Sequence, residues 1–177
     1  YVVEKADKKE RKRNPLPPYT TSSLQQDAVK KLNFSTKKTM LLAQQLYEGV
    51  NVGKGGAVGL ITYMRTDSVR LSDVATAELR SFIGSTYGTE YVPAGVNVYS
   101  SKKNAQDAHE AIRPTSVERT PEAVAQYLTK DQLKLYTLIW KRTVACQMKA
   151  AVYDVTTLLI GAAGYQLRAG GAVLKFD

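Results

Sequence analysis

The sequence predicts an α+β fold in which a mainly helical middle is inserted between β-strand segments at the two ends. Hydrophobic residues recur at helical spacing between about residues 23 and 148. From Ala151 onward the pattern changes to β-branched runs separated by glycine, which is typical of strands and turns. We therefore expect a first β segment with a connector over 1–22, a helical domain over 23–148, and returning antiparallel strands over 149–177.

Capping residues set the expected helix boundaries, because Ser and Thr side chains satisfy the free backbone N–H groups of a first turn. A proline at the first helical position marks another helix start. The first predicted helix begins in the run of hydroxyl residues at 20–23 and ends near Leu32, and the second begins at Ser35 or Thr36. The next runs from Ser72 to about Tyr87. Another starts at Thr120-Pro121, and the last runs from about Lys130 to Met148.

The strand predictions are shorter and depend on β-branched residues and turn residues. Residues 1–13 suggest a solvated strand end followed by a turn. The predicted strands are a strand and turn over 58–68, a short strand over Asn97–Ser100, and an antiparallel meander formed by 152–160, 165–169 and 173–177 with turns at Gly161–Gly164 and Gly170–Gly171. Both chain ends resemble the middle of a strand, so we expect an excised piece of a larger protein.

The charge balance favours a polyanionic partner. The 177 residues include 25 Lys and Arg against 16 Asp and Glu, a formal net charge of +9. Such a balance is typical of proteins that bind nucleic acid or a membrane surface, although many basic proteins bind neither. No apolar run approaches the ~18 residues of a membrane span. A single cysteine, Cys146, excludes an internal disulfide. We expect a soluble cytoplasmic protein with no membrane partner.

One stretch, Gly59–Ser68, begins as a short apolar run and ends in polar, reactive side chains. A strand would place Tyr63 and Arg65 on one face. The guanidinium could grip a phosphate, and Asp67 could orient it or handle a proton. A phenol has an ordinary pKa near ~10, so it needs cationic neighbours or a base to act as a nucleophile.

A second stretch, residues 108–115, holds the only histidine of the chain. A helical turn would place His109 and Arg113 on one face, with Glu110 beside them, and Pro114 would end it. His109 could donate a hydrogen bond to a phosphate, and Arg113 could add a second contact. The residues of both stretches suit transesterification of a phosphodiester through phosphotyrosine.

An alternative from a different class is a non-catalytic DNA-binding module with a structural tyrosine. There are 11 tyrosines, and most tyrosines are structural. Two short helices joined at 33–35 also have a helix-turn-helix outline. Lysines cluster at that turn with no acid between them, namely Lys30, Lys31, Lys37 and Lys38.

The two stretches together resemble a known family. Residues 59–68 (GLITYMRTDS) are similar to the active-site tyrosine motif of bacterial type IA DNA topoisomerases, and 108–115 (AHEAIRPT) resembles the family's histidine segment. Residues 21–26, 138–140 and 144–148 also resemble the family, in the same order.

The resemblance implies roles for these residues. Tyr63 would be the nucleophile that links to the 5′ phosphate of one cut strand, Arg65 would hold the scissile phosphate, and His109 would contact it or the adjacent backbone. Asp67, Glu110 and Arg113 would support DNA or phosphate binding. The enzyme would cleave one strand, pass another and religate, so that negative supercoils relax.

The resemblance also implies what this chain lacks. The helical domain would move with its tyrosine, and the flanking strands would belong to a hinge-like domain. Mg²⁺ would bind a domain absent here, so no metal site and no ATP requirement are expected in this fragment, which would be inactive alone. The partner would be DNA, preferentially single-stranded, in the bacterial cytoplasm and nucleoid. A dimer through exposed strands would be a consequence of excision.

Overall fold

The computed structural model describes residues 1–53, 56–99 and 109–176. Its architecture is α+β, as the sequence predicts. The chain forms two compact units, a helical unit over Leu16–Met148 and a sheet unit from Tyr1–Pro15 and Lys149–Asp177.

The helical unit contains most of the regular structure. A two-stranded antiparallel hairpin lies between its second and third helices, and short 3₁₀ turns cover Thr89–Tyr91 and Ala125–Tyr127. The elements are α1 (Thr21–Leu32), α2 (Thr36–Glu48), β2 (Val50–Asn51), β3 (Ala57–Val58), α3 (Asp73–Thr86), α4 (Pro121–Val124) and α5 (Lys130–Cys146).

The helices begin where the hydroxyl side chains predict. Ser35, Ser72 and Thr120 are N-cap residues whose side chains accept a hydrogen bond from a backbone N–H in the first turn. Thr20 caps α1 and forms a reciprocal capping box with Ser23. The helix boundaries predicted at Ser35, Ser72 and Thr120 are therefore confirmed.

Helix α5 carries the centre of the core. Leu135, Tyr136 and Ile139 are fully buried, and Trp140 is nearly so. The polar groups of the two aromatic side chains donate hydrogen bonds to backbone carbonyls. Tyr136 Oη donates to the carbonyl of Arg119 at 2.6 Å, and Trp140 Nε1 donates to the carbonyl of Val117 at 2.9 Å. These bonds fix the loop that leads out of the histidine segment.

Cys146 is fully buried at the end of α5. Burial raises the pKa of its thiol to about 12, so the thiolate is disfavoured at neutral pH. Among the described residues, no helix combines the length and apolar character needed to cross a membrane.

The sheet unit is an antiparallel sheet of three strands, β1 (Val2–Arg13), β4 (Ala151–Ala162) and β5 (Tyr165–Phe176). Their order in the sheet is β1-β4-β5. Strand β1 pairs with β4 from Val2 opposite Gly161 to Arg13 opposite Ala151.

Two strand predictions in this unit are wrong. Residues 2–13 form one continuous strand instead of a strand end and turn, because β4 supplies hydrogen-bonding partners along its length. Gly170 and Gly171 form no turn, because they lie within β5 and pair with Thr157 and Thr156. The C-terminal meander is therefore a single long hairpin.

The short strand predicted over Asn97–Ser100 is also wrong for its described residues. The Asn97 side chain donates to the carbonyls of Cys146 at 3.0 Å and Met148 at 2.8 Å. Side-chain hydrogen bonds to the end of α5 therefore hold this segment, and it is not part of a sheet. Ser100 lies outside the described residues.

Candidate active site

The tyrosine segment follows an irregular extended path. Regular strand structure ends at Val58 in β3, so the strand predicted over 58–68 is wrong. Backbone contacts hold the segment instead: the Leu60 N–H donates to the carbonyl of Leu46 at 2.7 Å, and Ile61 forms an isolated antiparallel bridge with Pro114. This anchoring ends just before the tyrosine.

The side chains of the segment still alternate between core and solvent, as in a strand. Met64 and Thr66 are buried, whereas Tyr63, Arg65 and Asp67 are exposed. The buried residues fix the segment to the core. The phenol, the guanidinium and the carboxylate therefore lie on one face, although the local backbone is not a regular strand.

The histidine segment is extended, so the helical turn predicted there is wrong for residues 109–113. Its backbone groups bond to neighbouring segments: the Ile112 N–H donates to the carbonyl of Tyr19 at 2.8 Å, and the Arg113 N–H donates to Thr62 Oγ1 at 3.0 Å. These tertiary partners replace the bonds of a helix. Ala108, the first residue of that stretch, lies outside the described residues.

The N-terminus of α1 clamps the tyrosine segment from the other side. Thr21 Oγ1 donates to the carbonyl of Met64 at 2.7 Å and accepts from the Thr66 N–H at 2.9 Å. The Thr21 N–H donates to the carbonyl of Thr66 at 2.9 Å. One threonine therefore fixes the backbone on both sides of Arg65.

These segments border an open cleft with a volume of about 560 Å³. Three hydroxyl residues at the start of α1 form one wall, and the tyrosine and histidine segments form the rest. The lining residues are Thr20, Thr21, Ser22, Tyr63, Arg65, Thr66, Asp67 and His109.

Tyr63 lies between two rings. Its ring centroid is 5.5 Å from that of His109, with an interplanar angle of 37°, and 5.5 Å from that of Tyr47, with an angle of 67°. Tyr63 is 38% exposed. The phenol is therefore held by aromatic contacts and remains open to solvent.

Arg65 and Asp67 are exposed in the cleft. Within the part of the chain that the structure describes, neither side chain has a hydrogen bond or ion pair, so the expected orientation of Arg65 by Asp67 does not occur. An unpaired guanidinium can bind a phosphate without first breaking an internal ion pair.

Glu110 and Arg113 do not line this cleft. The Glu110 carboxylate accepts the Ser72 N–H at 2.8 Å, at the start of α3, and pairs with the Arg113 guanidinium at 2.7 Å. Burial opposes ionisation of Glu110, but the Ser72 hydrogen bonds and the Arg113 charge outweigh it and lower the pKa of the carboxyl. The pair ties the histidine segment to α3.

The structure thus brings together four of the six predicted site residues, Tyr63, Arg65, Asp67 and His109, and places the other two behind them. It adds the α1 hydroxyls, of which Thr21 is central, and Tyr47. The run of hydroxyl residues at 20–23 is longer than one helix cap requires. This excess could have indicated that some of these residues also line the cleft. Among the described residues, no group of three or more His, Cys, Asp or Glu side chains could hold a metal ion.

The lysines at the α1–α2 turn divide into two kinds. Lys31 pairs with Asp27 at 2.9 Å, and Lys38 pairs with Asp131 at 2.6 Å. Lys30 and Lys37 are exposed. Half of the predicted basic cluster is therefore neutralised within the protein.

Comparisons with known proteins show which family the chain resembles. A family model described as DNA topoisomerase matches residues 1–177. The chain is 52% identical over 180 residues to proteins named DNA topoisomerase 1 from Rickettsia prowazekii and Rickettsia typhi; it is matched along its full length and covers 23% of each relative. It spans about a quarter of their length.

A solved structure shows the same fold. The chain is similar to full-length topoisomerase I from Thermotoga maritima, with a TM-score of 0.82 and 47% sequence identity over 99% of this chain and 28% of that one. The match of the family model to the entire chain and the likeness to this structure lead to one conclusion: the chain belongs to the bacterial type IA DNA topoisomerase I family.

Proposed function

We propose that this chain supplies the tyrosine with which a type IA topoisomerase cleaves one DNA strand. The observation that carries the proposal is the exposure of Tyr63 in the same cleft as Arg65 and His109. A structural tyrosine would bury its ring and pair its hydroxyl. Among the described residues, no hydrogen-bond partner of the Tyr63 hydroxyl is found, which favours a reactive role.

The reaction is a phosphodiester exchange. Tyr63 Oη attacks the scissile phosphorus, the bond from phosphorus to the 3′ oxygen breaks, and that oxygen leaves with a proton. The 5′ phosphate is then esterified to Tyr63. Attack by the 3′ hydroxyl reverses the step and reseals the strand. One ester replaces another, so no ATP is consumed.

Arg65 and His109 stabilise the phosphate during the exchange. The Arg65 guanidinium has no internal ion pair among the described residues and can bind two phosphate oxygens. Such a contact opposes the charge that develops in the transition state. His109 lies beside the Tyr63 ring and donates to the same phosphate or to its neighbour in the backbone.

The remaining three predicted residues have supporting roles. Asp67 lies at the edge of the cleft, where it limits the approach of a second phosphate or assists in proton transfer. Glu110 and Arg113 position His109 through their ion pair and the bond to Ser72. Direct phosphate binding by Arg113 would require that half-buried pair to break.

The whole reaction depends on parts beyond this chain. The complete enzyme would use Mg²⁺ bound by another domain; among the described residues of this chain, no group of three or more His, Cys, Asp or Glu side chains could hold a metal ion. The chain alone is expected to be inactive. In the complete enzyme the helical unit moves with Tyr63, the sheet unit belongs to a hinge, and the passage of a strand relaxes negative supercoils.

Single-stranded DNA is the preferred partner, because an open cleft can admit an unpaired backbone. The net charge of +9 supports this partner. A DNA substrate in turn implies a location in the bacterial cytoplasm and nucleoid. The edge strands β1 and β5 offer backbone groups through which isolated chains could pair.

The test is a trapping experiment. This chain is mixed with the remaining parts of the topoisomerase, Mg²⁺ and a single-stranded oligonucleotide, and covalent adducts are separated on a denaturing gel. The wild-type chain should form an adduct, and Tyr63→Phe should form none. Salt-sensitive DNA binding without any adduct would support the alternative, a DNA-binding module with a structural tyrosine.

A further inference from the structure

Tyr47, in the last turn of α2, contacts the Tyr63 ring but belongs to neither sequence motif. The two ring centroids are 5.5 Å apart, and an interplanar angle of 67° gives an edge-to-face arrangement. This is a favoured geometry for aromatic pairs. Tyr47 lies outside the lining of the cleft, so its contact is with the nucleophile side chain.

The same helical turn also fixes the backbone that leads to Tyr63. The carbonyl of Leu46 accepts the Leu60 N–H at 2.7 Å. A Cβ atom on Gly59 would lie only 2.7 Å from the backbone oxygen of Tyr47, so only glycine allows this approach. The end of α2 is therefore a platform for both the backbone and the ring of the tyrosine segment.

We propose that Tyr47 is a positioning residue that holds the side-chain rotamer of Tyr63 for attack on the scissile phosphate. The inference rests on the proposed function of Tyr63. The Tyr63 hydroxyl has no hydrogen-bond partner among the described residues, so the ring contacts with Tyr47 and His109 set its direction. His109 is assigned to the phosphate, which leaves Tyr47 as the contact that serves orientation alone.

Loss of this contact should slow the chemical step more than it weakens DNA binding. Small errors in the placement of a reacting group reduce rates strongly, and aromatic pairs contribute modestly beyond their buried area. For removal of the ring we expect a decrease of about tenfold in the cleavage rate. The Tyr47 hydroxyl makes no contribution in this account, so phenylalanine should substitute for it.

The experiment uses the complete topoisomerase that carries this segment, with Tyr47→Ala, Tyr47→Phe and the control Tyr127→Ala. Tyr127 is 38% exposed, close to the 40% of Tyr47, and lies in a 3₁₀ turn outside the cleft. Single-turnover cleavage of an oligonucleotide at saturating enzyme gives the rate, and a titration gives the dissociation constant. Tyr47→Ala should lower only the rate, whereas Tyr47→Phe and Tyr127→Ala should match the wild type.

An unchanged rate in Tyr47→Ala would overturn the inference, and so would an equal loss in Tyr47→Phe, because a hydroxyl function would then be indicated. A second measurement is independent of catalysis. Three-bond couplings of Tyr63 in the 177-residue chain should report one χ1 rotamer in the wild type and averaging in Tyr47→Ala; one rotamer in both would contradict the inference. Survival of the adduct in Tyr63→Phe would instead refute the proposed function.

Discussion

The Tyr63 ring lies against the His109 ring, with centroids 5.5 Å apart and an interplanar angle of 37°. The two residues are 46 positions apart in the sequence. Thr62 joins their segments, because its hydroxyl donates to the carbonyl of Ala111 at 2.7 Å and accepts the Arg113 N–H at 3.0 Å. The nucleophile and the histidine are therefore parts of one packed unit.

The first prediction concerns His109. His109→Ala should slow DNA cleavage by about 10²-fold, because a donor to the phosphate is lost. His109→Gln keeps an N–H donor and should recover part of the rate. Both variants should unfold at the wild-type midpoint, since the side chain is exposed. Equal cleavage by His109→Ala and the wild type would remove His109 from the reaction.

The second prediction separates charge from geometry at Arg65. Arg65→Lys keeps the charge but loses the planar pair of donors, so cleavage should fall by at least about tenfold. Arg168→Lys is the matched control, because Arg168 is an exposed arginine in β5. Oligonucleotide cleavage in the complete enzyme is the measurement. Wild-type cleavage by Arg65→Lys would show that the contact with the phosphate needs only a point charge.

The third prediction concerns the clamp that Thr21 forms on the tyrosine segment. Thr21→Val keeps the shape, removes the hydroxyl and leaves the Thr66 N–H without its acceptor, which should cost about 1–3 kcal/mol of unfolding free energy. Thr36→Val is the control, since Thr36 occupies the same first position of α2. Urea unfolding of the 177-residue chain measures both, and equal stabilities would contradict the clamp.

Not all of this site could be predicted from the sequence. Tyr63 and Arg65 lie two positions apart in a segment whose side chains alternate between core and solvent. Their location on one face could therefore be predicted from the sequence. The extended form of 109–113 could not be predicted. The helical spacing of His109 and Arg113 is visible in the sequence, whereas the hydrogen-bond partners that override it, Tyr19 and Thr62, are distant in the chain.

The same reason explains the errors in the sheet. Gly170 and Gly171 are typical of a turn, and only their pairing with Thr157 and Thr156 shows that the strand continues. The helix starts were predicted correctly because a cap is a local interaction. Tyr47 was missed because its spacing in α2 is that of a core residue, and its contact with Tyr63 depends on the hairpin between them.

The fourth prediction concerns the acid stability of the helical unit. Asp27 Oδ2 accepts hydrogen bonds from Tyr19 at 2.6 Å, Lys31 at 2.9 Å and Arg142 at 2.5 Å. Burial opposes ionisation, yet these three donors together lower the pKa of the Asp27 carboxyl to about 2. The folded-state pKa lies below the unfolded value near ~3.9. The stabilisation is therefore complete above about pH 4 and is lost as the pH falls towards 2.

Asp27→Asn should lower the unfolding free energy at pH 7 by about 2–4 kcal/mol, because Arg142 is left half-buried without its counter-charge. The variant should also lack the part of the pH dependence of the unfolding free energy between pH 4 and 2 that the Asp27 carboxyl contributes. Asp131→Asn removes an exposed ion pair with Lys38 and should leave the midpoint near that of the wild type. Identical acid transitions for Asp27→Asn and the wild type would show that another group controls them.

Peptide mapping shows directly whether Tyr63 becomes esterified to the 5′ phosphate. The complete enzyme is trapped on a single-stranded oligonucleotide, the DNA is trimmed by nuclease, and the modified tryptic peptide is sequenced by mass spectrometry. We expect one phosphorylated tyrosine, Tyr63, with a free 3′ hydroxyl on the released fragment. A phosphate on any other residue, or a link to the 3′ end, would contradict it.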